Sequence, residues 1–156
     1  MNRGAANLSA IVVNWNGGDL LRSCLQSLVA ATAGLEAEIW LVDNASTDGS
    51  LEGAVEAFSQ VQAIRNPANE GFARAVNAAL ARASGDCVLL LNPDARIDAT
   101  ALRRLLEVMR SEASIGIIGC PSVDASGEGA PGHESSFPGA RGKRVAAAYG
   151  AIRDAA

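Results

Sequence analysis

Residues 85–95 read Gly85-Asp86-Cys87-Val88-Leu89-Leu90-Leu91-Asn92-Pro93-Asp94-Ala95. The apolar run Val88-Leu89-Leu90-Leu91 leaves no polar face. Such a run predicts a strand covered on both sides, as at the centre of a parallel sheet. Pro93 fixes its own φ and lacks a backbone donor, so the ladder ends there. Asp94 is thereby placed just past the carboxyl end of a central strand, the edge at which open α/β sheets bind ligands.

The same alternation repeats outward from this strand. Upstream, Phe72, Ala75, Val76, Ala79, Leu80 and Ala83 recur at helical spacing, with Gly85 as a C-cap glycine. Residues 61–64 predict a weaker strand. Before it, Leu51, Ala54, Val55 and Phe58 share one face of a short helix, and residues 39–42 predict another strand. Residues 8–13 predict the first strand. Asp19 is placed to cap a helix carrying Leu20, Leu21, Cys24, Leu25, Leu28 and Val29. Downstream, Asp98 or Thr100 can cap a helix that buries Leu102, Leu105, Leu106 and Met109, and residues 115–118 predict a fifth strand. The order βαβαβαβαβ predicts an α/β fold: a Rossmann-like, mostly parallel sheet with helices on both faces and right-handed crossovers. Residues 1–125 are expected to form this domain. Residues 126–156, rich in Gly, Ser and Pro and then in Ala, are expected to be poorly structured or partly helical.

Composition narrows the class. The chain has 156 residues, 49% hydrophobic and 19% charged, which suits one globular domain. Its net charge of −4 argues against general nucleic-acid binding, which needs a basic surface. Cys24, Cys87 and Cys120 are far apart and form no C-x-x-C pair, so they read as small hydrophobes in a reducing, cytoplasmic setting. No apolar run is long enough to span a bilayer.

Polar tips end three of the predicted strands: Asn14, then Asp43, then Asn92 with Asp94. Parallel strands bring such tips to one edge, and the loop before the third helix adds Asn69, Glu70, Gly71 and Arg74. Plainer roles stay open. Asp43, Asp48 and Asp94 can satisfy turn N–H groups, Asn16-Gly17-Gly18 can be a tight turn, and Arg74 can sit on a solvated helix face. His133 lies in the irregular tail. The turn after the first strand excludes dinucleotide binding of the usual kind, because N-W-N-G-G-D is not G-x-G-x-x-G. The chain also has neither a P-loop nor G-x-S-x-G. A carboxylate with amide neighbours suits Mg²⁺ or Mn²⁺ held jointly with a substrate diphosphate. The residues alone reach a metal-assisted site for a phosphorylated, nucleotide-like ligand.

Four stretches then resemble a known family. They are Ile11 through Asn16 (IVVNWN), Val42 through Ser50 (VDNASTDGS), Asn66 through Asn77 (NPANEGFARAVN) and Gly85 through Ala95. In this order they resemble family-2 glycosyltransferases of the GT-A fold, in particular the rhamnosyltransferase-like branch, over about residues 8–125. The resemblance implies a nucleotide-sugar-binding half used in cell-wall or polysaccharide biosynthesis. Its donor would be a UDP- or dTDP-sugar, and its acceptor a glycan or lipid-linked molecule. Asn14 and Asp43 match positions that contact the base and ribose. Asn69 matches a position in the same pocket and Gly71 would let the backbone approach it closely; Arg74, from the same polar edge, is a further candidate donor contact. Asn92-Pro93-Asp94 stands at the family's D-x-D motif, so Asp94 would ligate the metal and Asn92 would face the ribose. The metal would stabilise the leaving diphosphate, and a base on the opposite side would activate the acceptor, giving inversion.

The chain also departs from that pattern. The family's acidic pair after the D-x-D region is absent: Asp124, Glu128, Glu134 and Asp154 are isolated. The acceptor half is therefore expected to be missing or replaced, in a fragment or in a naturally short chain. Peripheral membrane contact and homo-oligomer formation are further expectations. Two alternatives remain: a non-catalytic nucleotide-sugar-binding module, and a nucleotidyltransferase, which would want a basic glycine loop that this chain lacks.

Overall fold

The computed structural model describes residues 8–111, 114–120 and 144–148. At its centre is β1 (Leu8–Asn14), buried at all seven positions. In chain order there come next α1 (Gly18–Thr32), β2 (Ala37–Asp43), α2 (Ser50–Ala57), β3 (Val61–Arg65), α3 (Phe72–Leu80), β4 (Cys87–Leu91), α4 (Ala99–Ser111), β5 (Ile117–Cys120) and β6 (Arg144–Ala148). The strands form one sheet in the order β3-β2-β1-β4-β6-β5, and every pairing is parallel. The predicted class is observed: an α/β fold of the Rossmann-like kind.

Two-residue alternation along β1 divides the core into two layers. Leu8, Ala10 and Val12 face one way, onto Leu21, Leu25 and Leu28 of α1, Leu51 of α2 and Leu102, Leu105 and Leu106 of α4. Ile11 and Val13 face the other way, onto Ala75, Val76 and Ala79 of α3. Both sides of β4 are covered in the same manner, Leu89 and Leu91 on the first face and Val88 on the second. Burying a leucine or valine fully contributes about 1.5–3 kcal/mol, so these layers hold the helices against both faces of the sheet. No helix among the described residues is long and apolar enough to cross a membrane.

Local boundaries differ from the sequence expectations in four places. First, α1 begins at Gly18 with Gly17 as its cap residue and no side-chain cap; Asp19 lies in the first turn, where its charge still faces the helix dipole. Second, α3 stops at Leu80, and Gly85 is not its cap. The backbone is drawn onto the amino edge of the sheet instead. The Ser84 N–H donates to Glu38 Oε1 at 2.6 Å, and the buried Gly85 N–H donates to Ser9 Oγ at 2.9 Å. Third, β5 starts two residues later than expected, at Ile117.

The fourth difference concerns the tail. Residues 144–148, expected to be irregular or helical, form β6 between β4 and β5. An Ala-rich segment has helix propensity, but β4 presents a row of backbone groups on its far side. Pairing with that row satisfies them and overrides local preference. The other tail residues lie outside the described set. Exposure also trims the expected apolar faces: Leu20, Val55 and Phe72 are 40%, 41% and 44% exposed. By contrast, Asp98 caps α4 as expected, its Oδ1 accepting the Thr100 and Ala101 N–H groups at 2.7 and 2.9 Å.

Candidate functional site

The register of β1 and β2 sets Asn14 beside Asp43 at the carboxyl edge of the sheet. Asn14 has no exposed surface, and Asp43 is 3% exposed. The Asn14 amide donates to Asp43 Oδ1 at 2.8 Å, Ser50 Oγ at 2.9 Å and Ser46 Oγ at 3.0 Å. Its two protons are therefore shared among three acceptors. Its own Oδ1 accepts the Gly17 N–H at 3.1 Å. A Cβ at Gly17 would stand 2.5 Å from that oxygen, so a side chain there would dislodge Asn14. The other Asp43 oxygen accepts the Ser46 N–H at 2.9 Å. The donor contact expected of Asn14 would thus have to pass through the loop it holds.

The loops after β1 and β2 are laced together beyond this pair. Ser46 Oγ accepts the Asn16 N–H at 2.9 Å, and Asn16 Oδ1 accepts the Thr47 N–H at 2.8 Å. Asp48 receives the Ser50 hydroxyl at 2.5 Å, the Ser50 N–H at 3.0 Å and the Gly18 N–H at 2.9 Å. The Ser50 hydroxyl, then these N–H groups, hold the exposed Asp48 carboxyl below its ordinary pKa. This is the turn role weighed for Asp48. The cost of the tight lacing shows at Asn16 and Ala45, whose φ values are 53° and 61°. Left-handed backbone is tolerable for asparagine and strained for alanine.

A third loop joins through Asn44, which is 2% exposed. Asn44 Oδ1 accepts from the Asn66 amide at 2.8 Å, and its own amide reaches the Gly71 carbonyl at 3.4 Å. Asn69 Oδ1 accepts the Gly71 N–H at 3.0 Å. Gly71 lies at φ 81° and ψ 168°, a region open essentially to glycine alone. Backbone conformation therefore demands glycine here. Arg74 is exposed in the first turn of α3 and has no hydrogen bond or ion pair among the described residues.

Asn92 and Asp94 form a separate tip beyond β4. The Ala95 N–H closes the turn onto the Asn92 carbonyl at 3.0 Å. Both residues are half-buried, yet Asp94 Oδ1 is fully buried with no hydrogen-bond partner. Buried carboxylate oxygens are rarely left unpaired, so this atom has free capacity to accept a donor or a cation. Cys24 lies beneath the turn. Burial, and then the nearby Asp94 charge, push its thiol pKa up to about 12. A protonated thiol is a poor ligand for a hard cation, whereas an orphaned carboxylate oxygen is a good one. No group of three or more His, Cys, Asp or Glu side chains gathers for a metal among the described residues. The tip thus fits a divalent cation that brings most of its other ligands with its substrate.

Sequence reasoning missed Asn44, Ser46 and Ser50, which supply much of the lacing. It also passed over Trp15, 61% exposed at the same edge. An aromatic side chain directly after a predicted buried strand was the available signal.

Residues 9–150 match the family described as glycosyl transferase family 2. The N-acetylglucosaminyl-diphospho-decaprenol L-rhamnosyltransferase of Mycobacterium tuberculosis is 30% identical over 145 residues, covering 86% of this chain and 45% of the relative. TarS of S. aureus, also solved with UDP-GlcNAc, superimposes with a TM-score of 0.68 at 26% identity, over 81% of this chain and 37% of that one. The mannosyltransferase PcManGT of Pyrobaculum calidifontis, solved with GDP-Man and Mn²⁺, shares the fold at 21% identity and a TM-score of 0.67, over 76% of this chain and 36% of that one. The chain spans less than half the length of these proteins. The match over residues 9–150 places the chain in glycosyl transferase family 2.

Proposed function

We propose that this chain is the donor-binding portion of an inverting glycosyltransferase that moves a sugar from a UDP- or dTDP-sugar to a glycan or lipid-linked acceptor. One observation carries the reading: the buried, unpartnered Asp94 Oδ1 at the carboxyl end of a central strand. Asp94 would hold Mg²⁺ or Mn²⁺ together with the donor diphosphate. The bound cation would supply positive charge to the diphosphate as it departs. Asn92 adds a neutral amide beside it, which keeps the tip weakly charged until donor arrives.

Asp43, braced from below by the fully buried Asn14, and the loop the pair holds would form the floor under the nucleoside. Asn69 and Gly71 shape one wall, and the unpaired Arg74 offers a cation to phosphate. Trp15 offers an exposed ring for the base. The rhamnosyltransferase relative supports a deoxy-sugar donor and a lipid-linked acceptor, hence work at the cytoplasmic face of a membrane. A second reading, a donor-binding module without catalysis, draws on the lone carboxylate of the tip.

Calorimetry of the full chain with UDP- and dTDP-sugars, with and without Mn²⁺, tests the proposal. Binding should require Mn²⁺, and Asp94→Ala should weaken it at least about tenfold. Equal binding without metal would remove Asp94 from the ligand set. Donor turnover lost in Asp94→Ala would exclude the module reading.

A further inference from the structure

Two side chains one helical turn apart on α1 grip the Asp94 loop from below. Cys24 Sγ donates to the Asn92 carbonyl at 3.3 Å, and Ser27 Oγ accepts the Ile97 N–H at 3.2 Å. These are the two ends of the segment that carries Asp94. Ser27 is itself oriented, because its hydroxyl donates to the Cys24 carbonyl at 2.8 Å, leaving its lone pairs for Ile97. Positions i and i+3 share a helix face, so one rigid element meets both ends of the loop. Cys24 is fully buried, and Ala95 and Ile97 are 4% and 7% exposed, so the loop is also pinned by packing.

We infer that Cys24 and Ser27 form a clasp that positions Asp94 for its ligand, both acting through the loop backbone as positioning residues. The inference rests on the reading of Asp94 as a metal and diphosphate ligand. A carboxylate with an unpaired buried oxygen tends to turn away to water or to a nearby N–H. A loop fixed at both ends prevents that, so the oxygen is already aimed when the cation arrives. Such outer partners characteristically tune ligand orientation and affinity.

Two measurements on the full chain test the clasp: amide hydrogen exchange at Ala95 and Ile97, and Mn²⁺ titration in the presence of UDP. Ser27→Ala and Cys24→Ala should each speed exchange at these amides about fivefold or more, the effect of one lost hydrogen bond. Each should raise the half-saturating Mn²⁺ concentration, toward the tenfold range typical of outer-shell losses. Ser27→Thr keeps the hydroxyl and should restore both readings. Val61→Ala, destabilised at the far strand, should leave both unchanged. Unaltered exchange in Ser27→Ala and Cys24→Ala overturns the clasp. Faster exchange in Val61→Ala to the same degree also overturns it, because the effect would then be general loosening. If Asp94→Ala leaves Mn²⁺ dependence intact, the metal reading fails, while the exchange data still decide whether α1 holds the loop.

Discussion

Asn14→Ala should be among the most destabilising single changes in this chain. The substitution removes two N–H donors and one acceptor from a site with no solvent access. The amide can fully satisfy only two of its three acceptors, and the charged one, Asp43, lies nearest at 2.8 Å. A hydrogen bond to a buried charge is worth about 1.5–3 kcal/mol and a neutral one about 1 kcal/mol. The lost Gly17 N–H contact adds about as much again as a neutral bond. The expected loss is about 3–5 kcal/mol, a large part of the about 5–15 kcal/mol that holds a typical domain. Urea unfolding monitored by fluorescence of Trp15 and Trp40 would measure it. Asn14→Asp provides an independent check on the mechanism. It keeps the shape but sets a second carboxylate against Asp43, which one shared proton would relieve. Repulsion between the two carboxylates makes the defect grow as the pH rises and shrink as it falls. A loss below about 1 kcal/mol in Asn14→Ala would refute the argument, the minimum that a single net hydrogen bond would give. So would an Asn14→Asp defect indifferent to pH.

The remaining expectations are more local. Partial burial pushes the Glu38 carboxyl up, but hydrogen bonds from the Ser9 hydroxyl, the Ser84 N–H and the Ser84 hydroxyl hold it below its usual 4.5. The stability it contributes is therefore present above 4.5 and lost as pH falls through the lower folded value. Urea midpoints of wild type and Glu38→Gln should converge in acid, and a gap that persists below that range would contradict this. Ala45→Gly should raise stability by about 1 kcal/mol by relieving left-handed backbone, read as a higher thermal midpoint; a lower midpoint would show that Ala45 is unstrained. Cys24 should resist thiol reagents at pH 8 in the folded chain and react once urea is added, because burial and Asp94 keep it protonated. Rapid labelling of native Cys24 would mean that the loop above it opens freely.

Much of the fold was legible because periodicity reports burial directly. The unbroken apolar run Val88-Leu89-Leu90-Leu91 could only be a strand covered on both sides, and β1 obeys the same rule. Asp98 as a cap was legible for an equally local reason, the geometry of one side chain and two N–H groups. The edge bearing Asn14, Asp43, Asn92 and Asp94 came from parallel order, since successive parallel strands end on the same side. The end of α3 was not legible. Its apolar pattern continues to Ala83, and only the distant acceptors Ser9 and Glu38 draw the chain away at Ser84 and Gly85. Strand β6 was hidden likewise, because an Ala-rich segment favours a helix until the open side of β4 supplies a ladder.

By itself the sequence determined the segments that became β1 to β5, which edge is polar, and that Asp94 stands at its tip. Those properties depend on spacing of 2.0 or 3.6 residues and on proline chemistry, all local. Tertiary structure decided how the polar residues divide. Asn14 and Asp43 became a buried, mutually satisfied floor, while Asp94 kept an oxygen without a partner. That difference depends on hydrogen bonds spanning from 29 residues, between Asn14 and Asp43, to 70, between Ser27 and Ile97. Such partners meet only when the sheet closes, because residue type sets what each group can bond and the fold sets what lies within reach.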